Sequence, residues 1–262
     1  MRPAVSAMSE RRRTLIAAAL AGGLVARTGF GSEFEVRFKT DTHNLVTEFD
    51  RRAEESIAAV IRSAFPDDSI VAEEGSLGGS DQSRRWIVDP IDGTTNFSHA
   101  FPYVAVSVAY EEHGSVLLGA VYDPTRDELF VAERGRGVEL NGRPIRVSTV
   151  DRLALSLVST GFPYERDLLP IALEQLGRMA RVAQSVRRLG AAALELAYVA
   201  CGRLDAFWEV RLEPWDCAAG ALLVEEAGGR VTDLVGGPFS VADGRTLASN
   251  GLIHAEAIDT LR

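Results

Sequence analysis

The stretch WIVDPIDGTTNF, Trp86 to Phe97, carries an apolar run into two aspartates, Asp89 and Asp92, three residues apart around Pro90, then a glycine and two threonines. Taken alone, Asp, Pro, Gly and Thr after an apolar run describe an ordinary strand-to-turn exit. A second reading is open. The Pro90 bend can turn both carboxylates and the Ile91 carbonyl toward one hard cation. Gly93, Thr94 and Thr95 would then open a helix whose free N–H groups and dipole welcome a phosphate.

Upstream, VTEFDRRAEESIAAVIRSAF places Thr47 to cap a helix with Asp50 three residues on, followed by Ala53, Ile57, Val60, Ile61 and Ala64 at helical spacing. The short strand SIVAEEG ends in Glu73 and Glu74, and Gly75 to Arg85 reads as a charged, Gly/Ser-rich mobile loop. Downstream, YVAVSVAY, SVLLGAVYD, ELFVAE and an Asn141-Gly142 turn predict an antiparallel meander. The second half predicts a strand at Leu155 to Ser159, a helix from about Leu168 to Val182 and SVRRLG as a strand. It continues with the helix AAALELAYVACG, the strand DAFWEV, a helix opened by EPWDCAAGALLVEEAGG, and RVTDL as the closing strand. No internal repeat is present. The alternation predicts an α+β or layered α/β fold, helices packed on sheets, in one unit over residues 1–262.

Composition narrows the class. The chain has 262 residues, 46% hydrophobic and 25% charged, enough for a sizeable core. Its formal net charge of -9, with no basic run beyond Arg11 to Arg13, argues against nucleic acid as a partner. An anionic substrate would require something local to reverse that field. Cys201 and Cys217 form no CxxC pair and sit in Ala-rich segments, which predicts buried, reduced thiols; the four histidines lack the spacing of a zinc site. Residues 1–30 are either the first helix, capped near Ser9, or an export leader. The apolar run Leu15 to Ala26 is too short to span a membrane, and the helix reading, with a cytoplasmic protein, is preferred.

Three acid sets fall at element ends: Glu73 with Glu74, Asp89 with Asp92, and Asp216 behind Pro214-Trp215. Singly, each has a bland account, a solvated strand end or a helix N-terminal acid. Together in one cleft they would repel one another unless cations sat among them, and oxygen ligands of this kind suit magnesium. Thr94 beside such a site would pass polarity to a carboxylate, and Asp50 is available if the early helices fold against the cleft.

These residues resemble the inositol monophosphatase family of magnesium-dependent, lithium-sensitive phosphatases. WIVDPIDGTTNF resembles its DPxDGTxN motif and PWDCAAGALLVEEAGG its WDxAAGxLLVxEAGG motif, while HNLVTEFD, VAEEG, RRLGAAALELAYVACGRLDAF and LASNG match further segments in order from about Leu15 to Ile258. The resemblance implies an α-β-α-β-α sandwich with mixed, largely antiparallel sheets, found as a homodimer. It implies that Glu73, Asp89 and the Ile91 carbonyl hold one Mg2+ and that Asp89, Asp92 and Asp216 hold a second, with a weaker third reached from Glu73 through water. Thr94 and Asp50 would orient and deprotonate the attacking water, with Glu74 in support, and Gly93, Thr94 and Thr95 would cradle the phosphate. About 31–150 would be the metal- and phosphate-binding half and about 151–262 the substrate-binding half.

Polyol hydroxyls would meet Glu209 and the segment Gly190, Ala191, Ala192, where Ala191 replaces the family's usual hydroxyl residue. Arg211 stands where a small residue is common, as a charge for a second phosphate or a dimer contact; Arg187 and Arg188 read as interface or surface residues. The expected activity is hydrolysis of a small phosphate monoester, inositol 1-phosphate first, with no nucleic-acid or membrane partner. The alternatives are histidinol-phosphate, fructose-1,6-bisphosphate or 3'-phosphoadenosine phosphate phosphatase on the same site, or a regulatory binding protein on this scaffold.

Overall fold

In the computed structural model, residues 7–34, 36–38, 45–75, 78–79 and 81–262 are described. The Ala/Leu-rich start forms α1 (Ala7–Gly29), which begins before Ser9 and buries Leu15, Ala18, Ala19 and Ala26. Two short antiparallel strands, β1 (Val36–Phe38) and β2 (Leu45–Thr47), lead into α2 (Glu48–Ala64). There Thr47 and Asp50 form the reciprocal capping box that their spacing predicts.

A seven-stranded sheet follows among the described residues, in the order β3 (Asp68–Ala72), β4 (Asp81–Asp92), β5 (Ala105–Glu112), β6 (Ser115–Asp123), β7 (Glu128–Glu133), β8 (Gly137–Leu140) and β9 (Arg143–Pro144). Only β3 and β4 run parallel; the remainder is the expected meander. Asn141 and Gly142, with φ of 48° and 74°, make the tight β8–β9 turn in the left-handed region that these residue types tolerate. The single turn α3 (Thr94–Ser98) leaves β4 directly.

The second sheet has the order β11 (Ser185–Arg187), β10 (Leu157–Thr160), β12 (Ala206–Glu209), β14 (Thr246–Ser249) and β13 (Arg230–Thr232). Around it lie α4 (Leu169–Val182), α5 (Ala192–Ala200), α6 (Pro214–Glu226) and α7 (His254–Leu261).

Alternation along β4 shows how the layers stack. Trp86 and Val88 pack with Ile57 and Ile61 of α2 and Leu15 of α1, whereas Ile87 packs on the other face with Leu196 of α5 and Leu222 and Leu223 of α6. Phe207 and Ala248 of the second sheet close that central core, and Trp208 and Leu247 face Met179 of α4 and Leu261 of α7. The sequence of layers is helix, sheet, helix, sheet, helix, as expected. Because α5 and α6 lie between two sheets, α6 buries every residue from Cys217 to Val224 and shows no polar face. A Cβ at Gly220 would stand 2.5 Å from the Leu196 Cβ, so that glycine sets the α5–α6 approach.

Four sequence expectations change. Asp81 to Arg85 are not loop but the start of β4, held by polar pairs, Arg84 to Asp81 (2.7 Å) and Arg85 to Glu111 (2.9 Å), that leave no apolar alternation to detect. Leu153–Leu155 is a 3-10 turn and the following strand begins at Leu157. RVTDL does not close the chain: β14, too short for a periodic signal, and α7 follow it. Cys217 is buried, but Cys201 is only half-buried; both are free thiols. Among the described residues no helix is long and apolar enough to cross a membrane.

His254 ties α7 to the second sheet through the hydroxyls of Thr232 (2.9 Å) and Ser249 (2.8 Å), and burial lowers its pKa from 6.5 to about 4. The unfolded chain therefore binds this proton at a higher pH than the folded one, and stability should fall as pH drops from about 6.5 to about 4. Urea midpoints across that window should decline less steeply in His254→Gln. Gly220→Val should cost roughly 1–3 kcal/mol by overpacking, read as a lower urea midpoint at unchanged slope.

Candidate active site

Side chains alternate along a strand, so residues three apart should face opposite ways. Asp89 and Asp92 do not, because β4 is bulged between them: Asp89 pairs with Ser107 and Asp92 with Ala105, three steps on β4 against two on β5. Pro90, which has no N–H to offer a ladder, occupies the bulge. Both aspartates thus share the face toward α6, where the Ser107 hydroxyl donates to the Trp215 carbonyl (3.0 Å). Asp216 waits there, one residue on. Glu73 joins from the end of β3, its N–H donating to the Val88 carbonyl (3.2 Å).

The result is a cavity of about 160 Å³ lined by Glu73, Asp89, Ile91, Asp92, Gly93, Thr94, Tyr164, Glu213, Trp215 and Asp216. Each acid is oriented by backbone. Asp216 is the third residue of α6 and accepts the Glu213 N–H (2.8 Å) in a capping box. Asp92 accepts the N–H groups of Ala192 (3.0 Å), Ala193 (2.8 Å) and Leu194 (3.3 Å) at the start of α5. The Asp89 carboxylate accepts the Ile91 N–H (3.0 Å). Asp50 accepts the Thr47 N–H (2.8 Å) on one oxygen, and its other oxygen lies 3.1 Å from the Thr94 hydroxyl, which also stands 3.1 Å from the Ile91 carbonyl. Phe49 and Phe97, their rings tilted at 53° with centroids 5.8 Å apart, pack between α2 and α3 beside the Asp50–Thr94 contact.

Burial, and then Glu73, Asp92 and Asp216 in that order, push Asp89 well above the carboxylate range. Asp216 keeps some exposure at the cavity wall by area, yet it too is pushed well up, first by desolvation in the surrounding protein and then by Asp92 and Glu73. Burial carries Asp92 to about 7 against the pull of the α5 amides, and raises Asp50 against its bonds to Thr47. A cluster of hard oxygen donors that disfavour their own charge fits divalent cations. Among the described residues no group of three or more His, Cys, Asp or Glu side chains is arranged to hold a metal ion.

Other residues named from the sequence lie elsewhere. Glu74 does not line this cavity; its N–H is held by Glu54 (3.0 Å). Thr95 is exposed and borders a neighbouring pocket with Phe162 and Arg188. Gly190, Ala191, Ala192 and Glu209 line an adjoining cavity of about 360 Å³ that shares Asp92, Gly93, Tyr164, Glu213 and Asp216 with the first. Glu209 is buried there, its pKa raised by burial and by Glu195, and a Cβ at Gly161 would collide with its carboxyl. Arg211 lies between Glu165 (3.8 Å) and Glu213 (3.7 Å), and Arg188 stacks over Phe162 (5.4 Å).

Asn96, a motif residue without an assigned role, donates to the Tyr103 and Leu189 carbonyls (both 2.8 Å) and ties the two cavities together. Tyr164, Glu195 and Glu213 also line the cleft without having been singled out. Only Glu213 left a trace, three residues before Asp216 at capping-box spacing.

The model of the inositol monophosphatase family matches residues 7–262. The Escherichia coli (strain K12) protein named Nus factor SuhB is 42% identical over 248 residues, covering 94% of this chain and 93% of that protein. A Synechocystis protein named inositol-1-monophosphatase is 43% identical over 246 residues, covering 93% and 86%. Among solved structures, an extragenic suppressor protein suhB from Bartonella henselae superposes with a TM-score of 0.91 at 39% identity over 95% of this chain and 97% of that one. A Thermotoga maritima IMPase gives 0.89 at 40%, covering 96% of each.

Cation binding should raise the melting temperature of the wild-type protein when Mg2+ is added after chelation. Asp89→Asn should lose most of that rise while melting no lower than wild type in chelator, because it removes one of the repelling carboxylates.

Proposed function

From its membership of the inositol monophosphatase family, to which the chain belongs, we propose that this protein hydrolyses the phosphate monoester of a small polyol, inositol 1-phosphate foremost, with magnesium as cofactor. The observation that carries this is the meeting of Glu73, Asp89, the Ile91 carbonyl, Asp92 and Asp216 in one cavity with the Thr94–Asp50 pair, beside a second cavity floored by Glu209.

Glu73, Asp89 and the Ile91 carbonyl would hold one ion and Asp89, Asp92 and Asp216 another. When bound, these ions supply the positive charge that draws in phosphate oxygens and makes water more acidic. The chain does the rest by position. Asp50, fixed by Thr47, sets the direction of the Thr94 O–H, leaving the Thr94 oxygen to accept from the attacking water and Asp50 to take up the proton.

Gly93, at φ of 89° with the Gly190 and Tyr103 carbonyls 3.1 Å from where a Cβ would be, lets backbone approach the phosphate as a side chain would not. The water oxygen bonds to phosphorus as the bond to the leaving alcohol breaks, so no protein nucleophile is required. The alcohol extends toward Glu209. Residues about 31–150 then serve phosphate and cation, and about 151–262 the alcohol, within a cytoplasmic homodimer.

A bisphosphate substrate would need an uncommitted cation near the floor. Arg211 lies beside Glu165 (3.8 Å) and Glu213 (3.7 Å), Arg188 stacks over Phe162 (5.4 Å), and the six acids that line the cavity with them repel a second phosphate. The Nus factor names of relatives favour a second reading, a regulatory binding role on the same scaffold. A cell phenotype rescued by inactive Asp89→Asn would establish that role.

Phosphate release with and without Mg2+ from inositol 1-phosphate, histidinol phosphate, fructose 1,6-bisphosphate and 3'-phosphoadenosine 5'-phosphate tests the assignment. Magnesium-dependent preference for the first is expected, and no release from any would defeat it. Thr94→Ala should lower kcat by roughly 10²–10⁴-fold, the scale of general acid–base assistance, with the melting temperature little changed.

A further inference from the structure

Ala191 precedes α5 with no side-chain oxygen to offer the cleft. One helical turn later stands Glu195, whose N–H donates to the Ala191 carbonyl (3.0 Å), so the two residues share a helix face. Glu195 is 1% exposed, lines the 360 Å³ cavity together with Glu209, and its Oε1 has no hydrogen-bond partner. The Ser159 hydroxyl beside it is also buried and makes no well-aligned bond. A buried carboxyl oxygen without an aligned donor is costly: burial raises the Glu195 pKa to about 8 against the pull of the Ser159 hydroxyl and the Leu189 backbone. The residue is not needed to fill the helix face, which Leu194, Leu196 and Ala197 already pack.

What would satisfy it follows from its surroundings. Glu209 faces the same cavity, and Arg188 is the cation nearest in influence to both acids. Six acids line this cavity against two arginines, Arg188 and Arg211, a balance that disfavours a second phosphate. Hydroxyls both donate and accept, so they can bond a carboxyl whether or not it is protonated.

We infer that Glu195 is a specificity-determining residue that, with Glu209, binds the hydroxyls of the substrate's alcohol moiety, supplying the polar contact that Ala191 lacks. This rests on the polyol-phosphate reading above. Alcohols bearing several neighbouring hydroxyls are the class it selects.

The test compares wild type, Glu195→Leu and Glu195→Gln on inositol 1-phosphate and on phenyl phosphate, which presents the same phosphate without hydroxyls. Glu195→Leu should lower the ratio of kcat/KM for inositol 1-phosphate over phenyl phosphate by about 10- to 100-fold, chiefly through KM, the worth of one hydrogen bond to a carboxylate. Glu195→Gln, which still hydrogen-bonds, should retain most of the ratio. Equal losses on both substrates, the mark of a structural role, or an unchanged ratio would overturn the inference.

Calorimetric titration of inositol 1-phosphate, with Ca2+ replacing Mg2+, reads the contact without turnover. Absence of turnover by wild type would defeat the phosphatase reading. Equal affinity of wild type and Glu195→Leu, or no binding to either, would defeat this one.

Discussion

Carboxyl groups that repel one another inside a protein are the constraint around which this structure is arranged. Asp89 and Asp92 are buried, with Glu73 and Asp216 half-buried beside them, and burial and proximity both act against their charge. Such a cluster persists only if the rest of the fold over-determines it. The β4 bulge does so at one end, forcing two aspartates onto one face. The central helix layer does so at the other.

Helix N-termini are the recurring device. Asp50 is the third residue of α2, Asp216 the third of α6, and Asp92 reaches across from β4 to take the first amides of α5. Each helix directs unpaired N–H groups and the positive end of its dipole at a carboxylate. That arrangement partly offsets the acids before any cation arrives. For the proposed phosphate substrate, it is how a chain with a formal net charge of -9 would present a site for an anion, the field being reversed locally by backbone and by cation and not by a basic patch.

The same layer would set substrate selection in the proposed reaction. The segment Gly190 to Ala192 that opens α5 lies between the carboxylate cavity and the alcohol-side cavity, and Asn96 fastens it to the turn after β4. For the proposed in-line displacement this tie would matter, because attacking and leaving oxygens must be held on one axis.

The family, and the acids that line the central cavity, could be read from the sequence because they rest on local patterns: Thr47 with Asp50 and Glu213 with Asp216 sit at capping-box spacing, and Asp-Pro-Ile-Asp-Gly announces a bend whose backbone needs are specific. Alternating runs likewise gave the meander from β5 to β9. Other features depend on contacts between distant segments. The start of β4 at Asp81 and the strand β14 were hidden because polar pairing and four-residue length erase periodicity. Thr94 meets Asp50 where the cluster around Phe49 and Phe97 packs α2 against α3, and the shared face of Asp89 and Asp92 exists only because β5 pairs across a bulge. Tyr164 and Glu195 enter the cleft from a loop and from an apolar helix whose local patterns say nothing of a ligand. Sequence determined which groups are available, since capping and turn chemistry act within a few residues; tertiary structure alone decided which of them meet, since strand register and helix docking join residues far apart in the chain.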